Sequence, residues 1–215
     1  MAQSKVLAKQ NRPGYLSQVR SDPKYTPQNS YLWFQRKIKE LFGAGPITPL
    51  NMLNDNIRTQ TKSILPGRLY MYTYNPKTKD KLPYYDTFPL VFPFGKSKGS
   101  FIGLNLHYLN YPMRLMLMNK LMQFAVNNKK GDLAYLRFSW ALLRMAARFP
   151  EAKPCVKRYL NSHVMSNFAL VPSDEWMIAA MLPTASFKKA RQEDVWKKSK
   201  EMVIANQHKL LAKED

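Results

Sequence analysis

The chain has 215 residues, of which 45% are hydrophobic, so it can bury a core, and global disorder is excluded. Lysine and arginine number 34 against 14 acidic residues, and the net charge of +20 favours a polyanionic partner: nucleic acid, an acidic membrane surface or an acidic face of another protein. Cys155 is the only cysteine, which excludes an intrachain disulfide and a zinc site built on cysteines.

The composition along the chain divides it into three parts. Residues 1–29 are polar, basic and interrupted by prolines, which predicts a basic extended arm. Residues 30–200 are predicted to form a single α+β domain that begins with a helix at 30–42. Residues 201–215 are predicted to form a C-terminal helical tail.

The segment 67–110 carries the strand signals of this domain. Leu69, Met71 and Thr73 alternate with tyrosines, the two-residue period of a β-strand. The next strand has its core at 90–92, and its prolines, which cannot donate ladder hydrogen bonds, indicate an edge strand. A turn at Gly95–Gly99 then leads into a further alternating strand at 101–106. In that strand, Gly103 marks a bulge or a close approach of another chain segment. The segment therefore predicts a small antiparallel, SH3-like β-unit, flanked by the N-terminal helix and by a C-terminal set of helices.

The remainder of the chain is predicted to be mainly helical. Apolar residues recur at helical spacing, and Pro112 suits a helix start. The predicted helices cover 113–127, 132–149, a short stretch after Pro154 through Tyr159, 173–181 and 186–211. Residues 168–171 are predicted to form one more strand.

No catalytic or metal-binding pattern is present in the sequence. His107, His163 and His208 are far apart, and a buried, hydrogen-bonded role is the favoured reading of His107. Gly95 and Gly99, with Lys96 and Lys98, allow a phosphate cradle, but a hairpin turn is favoured there. We therefore predict a protein that is not an enzyme and has no cofactor, no metal and no small-molecule substrate.

A basic stripe is the candidate binding surface. The first four basic residues of this stripe are spaced by seven, seven and four positions, which puts them on roughly one face of the predicted helix at 132–149. Three further basic residues extend the stripe along the chain. A solvated face without a partner is an equal alternative, although a merely soluble face usually mixes both signs of charge. Tyr111 and Tyr159 offer either stacking surfaces or core packing. The predicted nucleic-acid-binding or partner-binding residues are Lys130, Arg137, Arg144, Arg148, Lys153, Lys157 and Arg158.

Three long runs of the chain carry a resemblance to a known family. They are SILPGRLYMYTYNPKTKDKLPYYDTFPLVFPFG through FIGLNLHYL, KPCVKRYLNSHV, and PSDEW with LPTASFKKA. In this order they resemble a virion protein of T-even-like contractile-tailed phages, most like the DNA end protector or head completion family. The resemblance covers roughly residues 30–200 and implies a virion protein, without implying any catalytic residue.

Charge and resemblance together predict a virion protein, made in the host cytoplasm, that faces a polyanion. Because no helix presents base-reading side chains at its N-terminal end, DNA binding without sequence preference is the first hypothesis, and the resemblance implies capping of packaged DNA ends. The alternative is a structural baseplate, neck or tail component whose basic surface contacts acidic faces of other virion proteins. No membrane association is predicted, because no apolar run is long enough to span a bilayer.

Overall fold

The computed structural model describes residue 53, residues 59–126 and residues 149–211. The predicted arm at 1–29 and the predicted helices at 30–42 and 132–149 lie outside these ranges.

The described residues form a mixed α/β structure, which confirms the predicted combination of an antiparallel sheet with helices. The strands are β1 (Gln60–Thr61), β2 (Leu69–Met71), β3 (Tyr85–Asp86), β4 (Leu90–Ser97), β5 (Ser100–Asn105), β6 (Val156–Leu160), β7 (Phe168–Val171) and β8 (Phe187–Lys188). The α-helices are α1 (Tyr111–Val126), α2 (Trp176–Met181) and α3 (Gln192–Leu211). Short 3-10 turns cover Leu106–Tyr108, Pro150–Cys155, Asn161–His163 and Ser173–Glu175.

Six strands form one antiparallel sheet in the order β1-β7-β2-β4-β5-β6, and β3 pairs with β8 in a separate ribbon. The β4–β5 hairpin turns through Lys98 and Gly99, where Gly99 adopts a φ of 73° that suits glycine. The predicted hairpin turn is therefore confirmed. Three sheet strands, β1, β6 and β7, lie outside the predicted β-unit at 67–110, so distant chain segments complete the sheet. Its SH3-like form stays a prediction.

Both faces of the sheet are buried, and the alternation in β2 assigns its side chains to two cores. Leu69 and Met71 join the core beneath α1 and α2, in which the Trp176 ring lies 4.8 Å from the Phe92 ring. Tyr70 belongs to an aromatic layer on the opposite face. The list of its other buried rings is Tyr72, Tyr74, Phe101, Tyr159 and Phe168. Edge-to-face contacts between such rings stabilise the layer beyond simple area burial.

Of the helix predictions that fall within the described residues, three are confirmed and one is wrong. α1, the strand β7 and the helical segment 173–181 occur where the sequence indicates them. The final helix begins at Gln192 rather than at residue 186, because residues 187–188 pair with β3. The short helix predicted after Pro154 is wrong: Val156–Leu160 is a strand paired with β5. Pro154 belongs to the preceding 3-10 turn. The residues after it form hydrogen bonds with β5, which no local sequence pattern predicts.

Candidate nucleic-acid interface

The predicted basic residues fall into three groups in the structure. Lys130, Arg137, Arg144 and Arg148 lie outside the described residues, so their stripe stays a prediction. Lys157 and Arg158 are neighbours on β6, the edge strand of the sheet.

Lys153 stands apart from those two residues. It lies on the 3-10 turn before β6, and its Nζ donates a hydrogen bond to Asn206 Oδ1 of α3 at 2.7 Å. Lys153 lines neither of the two clefts described below.

A cleft of about 590 Å³ runs along β6, and we call it the tyrosine cleft. One wall is the whole of β6, residues 156–160, and the other comes from the segment 74–86 together with Tyr108. Because all five residues of the strand line it, the cleft also includes the outer edge of β6, which pairs with no strand in the described part of the chain and whose Leu160 N–H donates to the Tyr74 hydroxyl at 3.1 Å. Its rings are those of Tyr74, Tyr84, Tyr85, Tyr108 and Tyr159.

The outer wall of the tyrosine cleft is held in place by Lys189. The Lys189 ammonium donates hydrogen bonds of 2.7, 2.9 and 3.2 Å to the backbone carbonyls of Lys79, Asp80 and Leu82. Lys189 itself adopts a φ of 67°, unusual for a residue with a side chain. These bonds fix the exposed basic turn at 77–81 and so preserve the opening of the cleft.

Lys157 is the cation of the tyrosine cleft. Its Nζ lies 3.9 Å from the centre of the Tyr108 ring, a close cation–π contact. Partial burial removes water from the ammonium and lowers the pKa of Lys157. Within the described ranges its Nζ has neither a carboxylate partner nor a hydrogen-bond acceptor. As far as the described residues go, the three N–H donors of Lys157 therefore remain open to a ligand.

Arg158 connects the tyrosine cleft to a second one. Its Nε donates a hydrogen bond to Ser100 Oγ at 3.2 Å, and the Ser100 and Ser97 hydroxyl oxygens are 2.6 Å apart. Both serines line an adjoining cleft of about 360 Å³, which we call the serine cleft. It begins where β6 ends, since Leu160 lines the first cleft and Asn161 the second.

The serine cleft is polar and basic. Lys62 and Lys96 contribute two ammonium groups, and no aspartate or glutamate lines it. The other polar side chains of its lining are Ser63, Ser97, Ser100, Asn161, Ser166 and Asn167. Hydroxyl, amide and ammonium donors are the groups that contact DNA phosphates. Sequence reasoning considered Lys96 as part of a glycine cradle but missed Lys62, which only the pairing of β1 with β7 brings to this side.

Asp86 is the one carboxylate in the lining of the tyrosine cleft, but it is buried and fully engaged. Oδ2 accepts from Asn105 Nδ2 at 3.0 Å and lies 2.8 Å from His107 Nδ1, while Oδ1 accepts from the backbone N–H of Phe88 and Ser186 at 2.9 and 3.2 Å. Burial opposes its ionisation, yet His107 and these donors hold the pKa of Asp86 below its usual value. Its charge is therefore not presented to a ligand.

His107 completes a buried network. Its Nε2 lies 3.1 Å from Thr184 Oγ1, and burial lowers the pKa of His107, an effect that the nearby Arg114 reinforces against the attraction of Asp86. A neutral imidazole then donates from Nδ1 to Asp86 and accepts the Thr184 hydroxyl hydrogen at Nε2. Asp86, His107 and Thr184 are each at most 3% exposed, so the arrangement fixes chain segments and has no access to a substrate. This confirms the prediction that His107 is buried and hydrogen-bonded.

The two tyrosines considered as stacking surfaces are core residues. Tyr159 is 4% exposed and lies in the aromatic layer, where its hydroxyl accepts from Asn105 Nδ2. Tyr111 is 9% exposed and packs edge-on against Trp196. The half-buried rings of Tyr84 and Tyr85 are the aromatic groups that the sequence did not single out.

Two further chemistries find no support in the described part of the chain. No group of three or more histidine, cysteine or acidic residues there is placed to hold a metal ion. No described helix combines the length and apolar character needed to cross a membrane.

Comparison with known proteins gives a family. No curated protein and no solved structure matches the chain. The model of one family, described as the phage T4 terminal DNA protecting protein, matches residues 7–202. That range includes the described strands, both clefts and the predicted basic stripe. The chain belongs to the family of the phage T4 terminal DNA protecting protein.

Proposed function

We propose that this protein binds the ends of phage DNA without regard to base sequence and caps packaged ends when the phage head is completed. The family description motivates DNA ends as the target. The structural support is the pair of adjoining basic clefts, one along β6 and one beyond its C-terminal end, whose only lining carboxylate is buried in hydrogen bonds. A surface of this charge concentrates a polyanion and releases its counterions on binding.

The side chains of the clefts support binding that is indifferent to sequence. Lysines, serines and asparagines contact phosphate oxygens, and tyrosine rings stack on any base. The predicted stripe at Arg137, Arg144 and Arg148 extends the same phosphate-contacting role. The clefts and the stripe act on charge and shape, and end preference comes from the geometry of the clefts.

A structural role in the baseplate, neck or tail is the second candidate function. The observation that favours it is the same charge, because an acidic face of a neighbouring virion protein would also suit the clefts. DNA is the better match, since the family description specifies terminal DNA.

Binding to linear and end-closed DNA tests the proposal. We expect tighter binding to a linear duplex than to a duplex of the same sequence whose ends are closed by hairpin loops. We also expect equal affinity for linear duplexes of unrelated sequence, and slower exonuclease digestion of linear DNA in the presence of the protein. Equal affinity for linear and closed DNA would overturn end binding, and no affinity at low salt would leave the structural role.

A further inference from the structure

We infer that the tyrosine cleft takes an unpaired terminal nucleotide of a DNA end, with the base among the tyrosine rings and an acceptor oxygen on Lys157. The inference rests on the proposed binding of DNA ends and adds the form of end that is recognised: a frayed or overhanging end rather than a flush one.

The size of the cleft suits one or a few nucleotides. Its volume of about 590 Å³ lies within the range of about 300–1,000 Å³ that is usual for small-molecule sites. A base in a duplex is stacked and paired, so it enters such a cavity only after leaving the helix, which costs least at an end. The cavity therefore selects unpaired nucleotides by shape.

Lys157 supplies the polar contact. An ammonium that is partly removed from water and rests on an aromatic ring retains three N–H donors, and none of them has an acceptor among the described residues. A phosphate oxygen or a base carbonyl would satisfy them. Lys77 and Arg158 also line the cleft, and both are exposed, so they add positive charge along the path of the backbone.

The aromatic lining supplies the contact with the base. Tyr84 and Tyr85 are half-buried, and Tyr85 packs against no other aromatic ring in the described part of the chain. The Lys198 ammonium lies 5.3 Å from the centre of the Tyr84 ring, so a cation also accompanies this ring, although Lys198 does not itself line the cleft. Aromatic rings beside cations form the usual platform for single-stranded nucleic acid, and stacking tolerates every base.

The outer edge of β6, which pairs with no described strand, also suits an extended peptide, but the charge favours DNA. Pairing with an edge strand needs no particular side chains. Here three cations line the cleft and its single carboxylate is already occupied, an arrangement that selects a polyanion. If DNA does not bind in the cleft, an acidic protein segment is the remaining candidate occupant.

The test uses the full-length protein and three DNAs that share one duplex sequence: closed by hairpin loops at both ends, blunt, and with a two-nucleotide overhang. The terminal base of the overhang is 2-aminopurine. We expect the overhang to bind about 5- to 150-fold more tightly than the blunt end, the factor for stacking one base. The 2-aminopurine fluorescence should change on binding.

Variants then locate the effect. Lys157→Gln and Tyr85→Leu should bring the overhang-to-blunt affinity ratio toward one. Lys200→Gln, which removes the same charge from an exposed position on α3, should leave that ratio unchanged. Thermal unfolding of each variant confirms that it is folded, and the wild-type comparison of overhang with blunt DNA stands without any variant.

The outcomes separate the two proposals. If the wild-type protein prefers both linear DNAs to closed DNA, but binds overhang and blunt ends equally with constant fluorescence, the inference fails and end binding stands. If closed and linear DNA bind equally, the proposed function fails too. An overhang preference that survives both cleft variants would also overturn the assignment to this cleft.

Discussion

The Asp86 carboxylate and the His107 imidazole lie 2.8 Å apart in the interior, both essentially without solvent exposure. Through this pair, strand β3, the end of β5, the 3-10 turn 106–108 and the segment 184–186 are held together. The pair forms the inner support of the tyrosine cleft, because Asp86 and Tyr108 both line it. Stability and cleft geometry should therefore respond together to changes at this pair.

Acid should weaken the fold through His107. Its pKa in the folded protein lies below the ordinary value of 6.5, so the unfolded chain binds a proton that the native state resists. The stabilisation is present above about pH 6.5 and is lost as the pH falls, by up to about 1.4 kcal/mol per pH unit for one proton. Urea unfolding at several pH values measures it. His107→Gln should flatten the pH dependence between pH 7 and 5, and an unchanged slope in that variant would contradict the assignment.

Removing the Asp86 carboxylate should be costly at every pH. Asp86→Ala removes the acceptor from three buried donors and from the partly buried N–H of Ser186, and we expect a loss of about 3–5 kcal/mol in the free energy of unfolding. Asp80→Asn, at an exposed position of the turn, is the matched control and should change stability by less than about 0.5 kcal/mol. Similar effects of the two substitutions would show that the network does not stabilise the fold.

The paired residues Phe92 and Leu104 should carry much of the core energy. Both are fully buried and face each other across β4 and β5 beneath the helices. Truncating either to alanine should cost about 2–5 kcal/mol. Ile102, on the same strand but 38% exposed, provides the control, and Ile102→Ala should cost clearly less. Losses below about 1 kcal/mol for both core variants would contradict this position of the core.

Two glycines of the same hairpin should respond oppositely to alanine. A Cβ at Gly103 would lie 2.3 Å from Val91 Cγ1 and 2.8 Å from the Phe92 carbonyl oxygen, so Gly103→Ala should cost about 1–3 kcal/mol or more. This confirms the close approach expected at Gly103, while the strand irregularity lies between Pro93 and Gly95. A Cβ at Gly95 would be 3.8 Å from its nearest neighbour, and Gly95→Ala should leave stability unchanged or slightly higher. Equal thermal shifts for the two would be inconsistent with these contacts.

The salt dependence of DNA binding should show how many phosphate contacts the predicted stripe makes and how many the clefts make. Each lost contact flattens the slope of log affinity against log salt by about 0.9 for duplex DNA. Replacing Arg137, Arg144 and Arg148 by glutamine should lower that slope by roughly two to three, with little change in thermal stability because glutamine keeps helix propensity.

The double variant Lys157→Gln/Arg158→Gln should lower the same slope by roughly two if both residues meet phosphates. Lys197→Gln/Lys200→Gln removes equal charge from exposed positions of α3 and serves as the control. A slope that is unaltered in the arginine variant would exclude the stripe as a DNA surface, and one unaltered in the double variant would exclude the tyrosine cleft.

The parts of the fold that the sequence predicted correctly depend on local pattern. The two-residue alternation at 69–74 predicted β2, the glycine at 99 marked the β4–β5 turn, and helical spacing located α1. Net charge pointed to a polyanion, and the quoted runs pointed to the phage family that the match over residues 7–202 confirms. Each of these signals is contained within one segment or in the composition, where local sterics and hydrophobic period decide the outcome.

Only the tertiary structure decided what lies between distant segments. The sequence after Pro154 predicts a helix, although Val156 and Tyr159 are β-formers. The segment forms the strand β6 instead, because it gains hydrogen bonds to β5, more than fifty residues earlier. The pairing of Asp86 with His107 and the assembly of the clefts have the same origin. Their side chains come from the β1 region, the segment 74–86 and β6, and no sequence period connects them. The net charge of +20 lets the sequence by itself predict a polyanionic partner, whereas the position of the two clefts follows from long-range strand pairing, which buried area and register select only when the whole chain folds.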